Sequence, residues 1–485
     1  MPVAPHNVSG RDFPSARAFP DFPAGRARQL LAGGLFVGLI ARLCFAFHDD
    51  GLMWPDEYYQ SLEPAHRAVF GYGWQAWEFL EGARHWTLPG FIAGVMKLSS
   101  ALGLDYLKAV EVTFCLAGVG TVFAIYRLAR AQEATHFSSA IVATSFALMG
   151  LAVYVAPRAM GESLSALPVT FAFALLVSAR ITPRRAIAAG VLLSIAVGLR
   201  LQNGIFCIGA LSMLLVARRR KEALALFVTL LLGAAAYGAI DHLTWGSPFH
   251  SARQYLRFNL IEGRSSEFGT SPLFHYVRAL VTAEGLTIIP LVALTIFGAR
   301  GRAAIPLIAL SFFLVHSVIP HKELRFIFPI IPLICAQAAL GLDRLETKRT
   351  VAAGALIILS IASLATLPTL TFGRLGITNP SREISAIDYA GPENRLLRQA
   401  SKRTDLCGLK IASIENWRTG GYAYLHQRVP MYRHWPPEAG EGHYNYVIAK
   451  RGTVEGTEVA TDDDRALIKL PTDCTPDPTY DWHLE

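Results

Sequence analysis

Four ionisable side chains crowd into the hexapeptide His321-Lys322-Glu323-Leu324-Arg325-Phe326, between the apolar runs 303–320 and 326–342. At the centre of a membrane helix each charge would cost roughly 2.5–3.5 kcal/mol. The hexapeptide therefore belongs at a membrane surface or against a wet, polar cavity. Taken alone, such a turn is most simply a solvated loop. Other polar groups share the question. Asp56 and Glu57 follow Trp54-Pro55 at the start of a stretch with helical spacing. Adjacent residues on a helix point about 100° apart, so only one of the two faces a given cavity well. A carboxylate within reach of a hydroxyl can take its proton, but an acid after Pro can equally cap free helix N–H groups. Arg158 and Arg200 stand in short polar breaks between apolar runs, and Glu162 lies one turn beyond Arg158. Arginine suits bidentate contact with phosphate. It also snorkels to lipid headgroups near helix ends.

The elements that must position these groups are membrane helices. The chain has 485 residues, of which 52% are hydrophobic and 17% charged, too apolar for a soluble protein of this length. Runs of spanning length recur, which predicts an α-helical polytopic membrane protein. Spans are expected at 29–47, 107–127, 138–156, 163–180, 186–199, 204–217, 222–240, 279–299, 303–320, 326–342 and 352–372, about eleven in all. Residues 1–28 read as a flexible cytoplasmic tail, with five prolines before Arg26 and Arg28. The net charge of +8 is dispersed in short clusters between apolar runs, which argues against nucleic acid. The chain carries no zinc-like Cys/His spacing, P-loop or dinucleotide fingerprint.

Orientation follows from the basic clusters. Arg127 and Arg130, Arg180 with Arg184 and Arg185, the run 218–221, Arg300 and Arg302, and Arg344 with Lys348 and Arg349 all fall on one side, the cytoplasm. The other side receives a large first loop, 48–106, the turns at 157–162, 200–203 and 321–325, the loop 241–278 and the segment 373–485. Arg158, Arg200, Lys322 and Arg325 thus sit where topology disfavours cations, which marks them for function. Within the first loop, 57–70 and 88–104 have helix-like patterns, and four tryptophans suit a membrane surface. Residues 373–485 are expected to form a small α/β domain outside the membrane, with strands near 409–414 and 446–449. If that segment faces an oxidising compartment, Cys407 and Cys474 are expected to form a disulfide.

Here the chain resembles the mannosyltransferases that use a polyprenyl-phosphate-mannose donor, glycosyltransferase family 22. Within it the third-mannose enzymes of glycosylphosphatidylinositol (GPI) assembly are most alike. The family mark H-K-E-x-R-F matches His321 to Phe326 in full. The first-loop mark matches Pro55-Asp56-Glu57-Tyr58-Tyr59-Gln60 and continues through Phe70-Gly71-Tyr72-Gly73 and Trp77-Glu78. Arg158 with Glu162, Arg200, Phe258-Asn259, Gly269-Thr270-Ser271-Pro272 and His275-Tyr276 also fit. Two departures bear on the acceptor: Arg200 is followed by Leu201-Gln202, and Ser271 stands where the family often has His.

The resemblance implies a GT-C fold over 29–372 with its active site on the non-cytoplasmic face. It also implies an inverting transfer of mannose that forms an α-mannoside on a glycolipid or lipid-linked glycan. A lipid phosphate is a stable leaving group, so the site must hold its charge rather than supply an acid. Arg158, Arg200, Lys322 and Arg325 are the candidate phosphate-binding cations, and no cofactor or obligatory metal is expected. The resemblance puts the general base at Asp56, with Glu57 the alternative. His321 and Glu323 would bind sugar hydroxyls or hold the neighbouring cations, Glu162 belongs with Arg158, and His275 and Tyr276 would touch the acceptor. Two rival readings stand: the same chemistry with arabinose or glucose, and a lipid-sugar transporter or flippase, which intramembrane charges would also serve. Richness in Ala, Leu and Arg points to a bacterial inner membrane, with the endoplasmic reticulum the alternative.

Overall fold

The computed structural model describes residues 24–178, 181–379 and 381–484. The first 23 residues of the expected tail, and Arg180, lie outside them. A helix occupies each expected span. Among the described residues, six helices are long and apolar enough to cross a membrane by length and composition: Ala24–His48, Tyr106–Ala131, Arg220–Trp245, His275–Gly298, Leu324–Asp343 and Glu346–Ala365. Shorter apolar helices cover His136–Leu148, Gly161–Leu176, Leu201–Val216 and Ala304–Val318. Outward faces stay apolar, with Phe36, Leu232, Ile296 and Leu314 exposed, as lipid contact requires.

Several boundaries differ from expectation, each for a local reason. The span expected at 138–156 breaks at Met149, whose backbone is extended (ψ 126°). The freed N–H groups are satisfied from other helices: Gly150 N–H donates to Ser363 Oγ at 3.0 Å, and Leu151 N–H donates to the Glu284 carboxylate at 2.5 Å. A membrane interior tolerates such a break only when those donors are met by protein. The span expected at 352–372 ends at Ala365, and the one at 163–180 ends at Leu176.

The first loop and the C-terminal segment share one core. Residues 55–62 fold as a turn and a π-helical stretch, Tyr58–Leu62, followed by the α-helix Glu63–Phe70. Thr87–Ala101 forms a second helix. The C-terminal segment supplies the helix Gly391–Ala400 and a five-stranded sheet in the order 431–432, 409–411, 446–450, 465–469, 457–462. The first three strands are parallel and the last two pair antiparallel. Tyr58, Tyr59, Leu62, Trp74, Tyr422 and Tyr424 interleave in that core. Glu63, fully buried, accepts N–H bonds from Trp74, Tyr422 and Ala423 at 2.9–3.1 Å. Gln75–Ala76 pairs with His483–Leu484. Cys407 and Cys474 are joined by a disulfide.

Candidate active site

A cavity opens where the first loop meets the membrane helices. Its wall includes Asp56 and Gln60 from the π-helical turn, Arg84 and His85 from the first loop, and Glu162 from the start of a membrane helix. Arg200 and Gln202 join from the break between two helices, Tyr255 from the short helix His250–Leu256, and Arg325 from the hexapeptide. Asp56, Glu162, Arg200 and Arg325 are therefore brought together from four separate stretches of sequence.

Asp56 and Glu57 part company. Asp56 keeps a quarter of its side chain exposed and takes a hydrogen bond from Arg325 Nη2 at 2.5 Å. It does no capping work, because the Pro55 carbonyl accepts the Tyr58 and Tyr59 N–H groups. Glu57 points the other way and is buried, accepting the Met53 N–H at 3.1 Å. Burial pushes its carboxyl up, against the pull of Arg158. The π-helical turn that follows is the kind of local irregularity that recurs at functional sites.

Arg325 is fully engaged. Its Nε donates to Glu323 at 2.7 Å and its Nη2 to Glu323 at 3.1 Å as well as to Asp56. Glu323 also accepts from His321 Nε2 at 2.9 Å, while His321 Nδ1 faces the Gly269 carbonyl at 3.2 Å. Both imidazole nitrogens thus face acceptors. Burial lowers the His321 pKa, but the hydrogen bond and charge of Glu323 outweigh it and the net shift is upward. Burial raises Glu323, and the Arg325 charge with the bonds from His321 and Arg325 reverses it, leaving the carboxyl below its ordinary range. His321 and Glu323 stand behind Arg325 and hold it, without lining the cavity.

Arg200 lines the cavity and pairs with Glu162 at 2.6 Å. This corrects the expected Arg158–Glu162 pair. Arg158 instead pairs with Asp49 at 3.0 Å, donates to the Gly51 carbonyl at 2.5 Å and stands 3.8 Å from Glu57, in a separate buried cluster. Lys322 also leaves the site: its Nζ donates to the Ser271 carbonyl at 2.8 Å. His275 packs against Gly376, and buried Tyr276 packs against Phe313 with ring centroids 6.0 Å apart. Neither lines the cavity. Sequence reasoning missed Arg84, Gln202 and Tyr255 as cavity residues. The triplet Arg84-His85-Trp86 in the first loop was the available signal for the first of them.

The arrangement suits displacement of a charged leaving group. Two carboxylates, Asp56 and Glu162, and the guanidinium groups of Arg84, Arg200 and Arg325 line the same walls. The model of the Alg9-like mannosyltransferase family matches residues 35–426. The chain belongs to that family. Among its relatives is GPI mannosyltransferase 3 of Yarrowia lipolytica, 28% identical over 302 residues, 61% of this chain and 59% of the relative. GPI alpha-1,2-mannosyltransferase 3 of Bos taurus is 25% identical over 427 residues, 85% of this chain and 75% of that one. The chain thus spans about three fifths of the length of the first relative. Among solved structures, ArnT of Cupriavidus metallidurans bound to undecaprenyl phosphate has a TM-score of 0.60 at 13% identity, covering 94% of this chain and 100% of that one. The archaeal oligosaccharyltransferase AglB of Archaeoglobus fulgidus, in complex with an inhibitory peptide and a dolichol-phosphate, has a TM-score of 0.53 at 12% identity, covering 88% and 69%. These likenesses show the GT-C fold.

Proposed function

We propose that this glycosyltransferase inverts the anomeric centre of mannose, moving it from polyprenyl-phosphate-mannose to a hydroxyl of a glycolipid or lipid-linked glycan and forming an α-mannoside. The observation that carries this is Asp56, held by Arg325 on the wall of a cavity shared with Arg200 and Glu162. Asp56 takes the acceptor proton as the new C–O bond forms. The bond from the anomeric carbon to the phosphate oxygen breaks, and the phosphate keeps the electron pair. Fixed cations offset that charge in place of a metal. The carboxylates nearest the site support this reading, because Asp56, Glu162 and Glu323 are each paired with an arginine. The names of the relatives support an acceptor among GPI-like glycolipids. The reaction face is non-cytoplasmic, in a bacterial inner membrane, with 29–372 as the catalytic region and 373–485 outside the membrane.

Purified full-length protein given radiolabelled polyprenyl-phosphate-mannose and a membrane lipid extract should yield a labelled glycolipid sensitive to α-mannosidase. Transfer from polyprenyl-phosphate-glucose or -arabinose, but not mannose, would move the assignment to another sugar. Absence of transfer from all three would overturn it. Mass spectrometry of glycolipids from a deletion strain would identify the acceptor as the species that loses one hexose.

A further inference from the structure

The geometry points to Arg84, in the first loop, as the residue that binds the phosphate of the lipid-linked donor, with Arg325 serving the opposite side of the reaction. The inference rests on the lipid-phosphate donor proposed above. It begins with chemistry. In an inverting displacement the nucleophile enters opposite the leaving oxygen. The group serving the nucleophile and the group serving the leaving atom must therefore stand apart, by roughly 6.5–9.5 Å in inverting sugar hydrolysis. Arg325 is bonded to Asp56 at 2.5 Å. A guanidinium that touches the base is on the nucleophile's side.

The cations differ in what they have left to give. Arg325 has Nε and Nη2 committed to Glu323 and Asp56, and Nη1 against Met160 Sδ. Arg158 also has an unpartnered Nε but is held by Asp49 and the Gly51 carbonyl away from this cavity, and Lys322 is held by the Ser271 carbonyl. Arg200 is paired with Glu162 at 2.6 Å. Arg84 is paired only loosely, 3.7 Å from Glu78, and Glu78 also accepts a 2.9 Å bond from Gln60. Arg84 Nε is buried with no hydrogen-bond partner. Such a donor is costly unless a ligand meets it.

Arg84 is nevertheless held in place. Its carbonyl accepts the Trp245 Nε1–H at 3.1 Å, and its guanidinium lies 5.7 Å over the Tyr255 ring. Its charge also reaches Arg200, where burial disfavours the charged form against the pull of Glu162, and the charges of Arg84 and Arg325 add to the burial. An anion between Arg84 and Arg200 would relieve that repulsion and meet the orphaned Nε–H. A lipid phosphate is that anion, and a planar guanidinium holds it bidentately.

The test is binding of polyprenyl phosphate, the leaving product, to the full chain in detergent, measured without turnover. Removing a charge-assisted bond should weaken it roughly 10–100-fold in Arg84→Ala. Arg84→Lys should restore most of it, and Arg325→Gln should bind within about threefold of wild type. In the transfer assay Arg84→Ala should raise the donor KM and leave the acceptor KM unchanged. If Arg84→Ala aggregates, Arg84→Met, which keeps the apolar stem, replaces it. Wild-type-like binding by Arg84→Ala overturns the assignment, as does an equal loss in Arg325→Gln. The acceptor is also expected to carry phosphate, so phosphatidylinositol vesicles form the second arm. Loss of that binding alone would assign Arg84 to the acceptor and overturn the donor role. If wild type binds polyprenyl phosphate through Arg84 yet transfers no mannose, the proposed function fails and the Arg84 site stands.

Discussion

Asp56 and Glu57 are chemically near-identical neighbours, and only their surroundings separate their roles. Asp56 faces the cavity beside Arg325, while Glu57 is buried against Met53 and Arg158. General-base assistance is typically worth 10²–10⁴-fold. Asp56→Asn should therefore fold normally, bind polyprenyl phosphate and lose transfer by about that factor. Asn also caps helices well, so near-normal transfer would return Asp56 to a local structural role. Glu57→Gln should instead lower the thermal midpoint and leave transfer measurable. At this scale the sequence was informative about types and poor about directions. The sequence, by its resemblance and its charge topology, singled out Asp56, Arg200, Glu162 and Arg325, which do converge. It grouped Lys322 with Arg325, yet the extended backbone at Glu323 sends the two side chains apart. It paired Arg158 with Glu162 by helical spacing, but helix begins only at Gly161. Arg84 was signalled only by the triplet Arg84-His85-Trp86, because its place depends on Trp245 and Tyr255, distant in sequence.

Between elements, the decisive joints are polar groups that hydropathy cannot foresee. Glu284 and Ser363 receive the N–H groups freed at the Met149 break, and a hydropathy profile reads straight through that break as one span. Glu63 joins the first loop to the C-terminal segment by accepting three backbone N–H groups. Burial pushes its carboxyl up to about 7, against those bonds and Arg67. A group with a raised folded pKa binds more protons folded than unfolded, so its contribution to stability increases as pH falls. The window runs from about 7 down to the ordinary value of 4.5. The full change is on the order of 3 kcal/mol. Glu63→Gln removes the titration and turns an NH₂ toward a backbone donor. Its thermal midpoint should lie below wild type, and the gap should widen between pH 8 and pH 5. An equal gap at both pH values would mean that the three donors keep Glu63 ionised throughout.

Across the whole molecule, polar connections gather at two ends of the helical bundle. At one end Asp56 meets Arg325, Glu63 meets Tyr422, and Gln75 pairs with His483. At the other, Arg302 pairs with Glu133, Thr135 donates to Asp343, and Arg349 lies 3.4 Å from Asp343. Charge clustering alone had already sorted these connections into the same two sets, because the positive-inside bias acts on short loops independently of how the helices pack. What it could not give was the union of the first loop with the C-terminal segment in one aromatic core, since those contacts span more than 300 residues. The Cys407–Cys474 disulfide lies at the Asp56 end, and disulfides persist in oxidising compartments. The Asp56 end should therefore face away from the cytoplasm. With Cys44, Cys115, Cys207 and Cys335 replaced by Ala, a single cysteine at Ser266 should react with a membrane-impermeant maleimide in intact cells. One at Lys221 should react only after permeabilisation. Mass spectrometry of protein taken from its native membrane should find Cys407 and Cys474 bonded. The reverse labelling pattern, with both thiols free, would turn the molecule over and place its cavity on the cytoplasmic side.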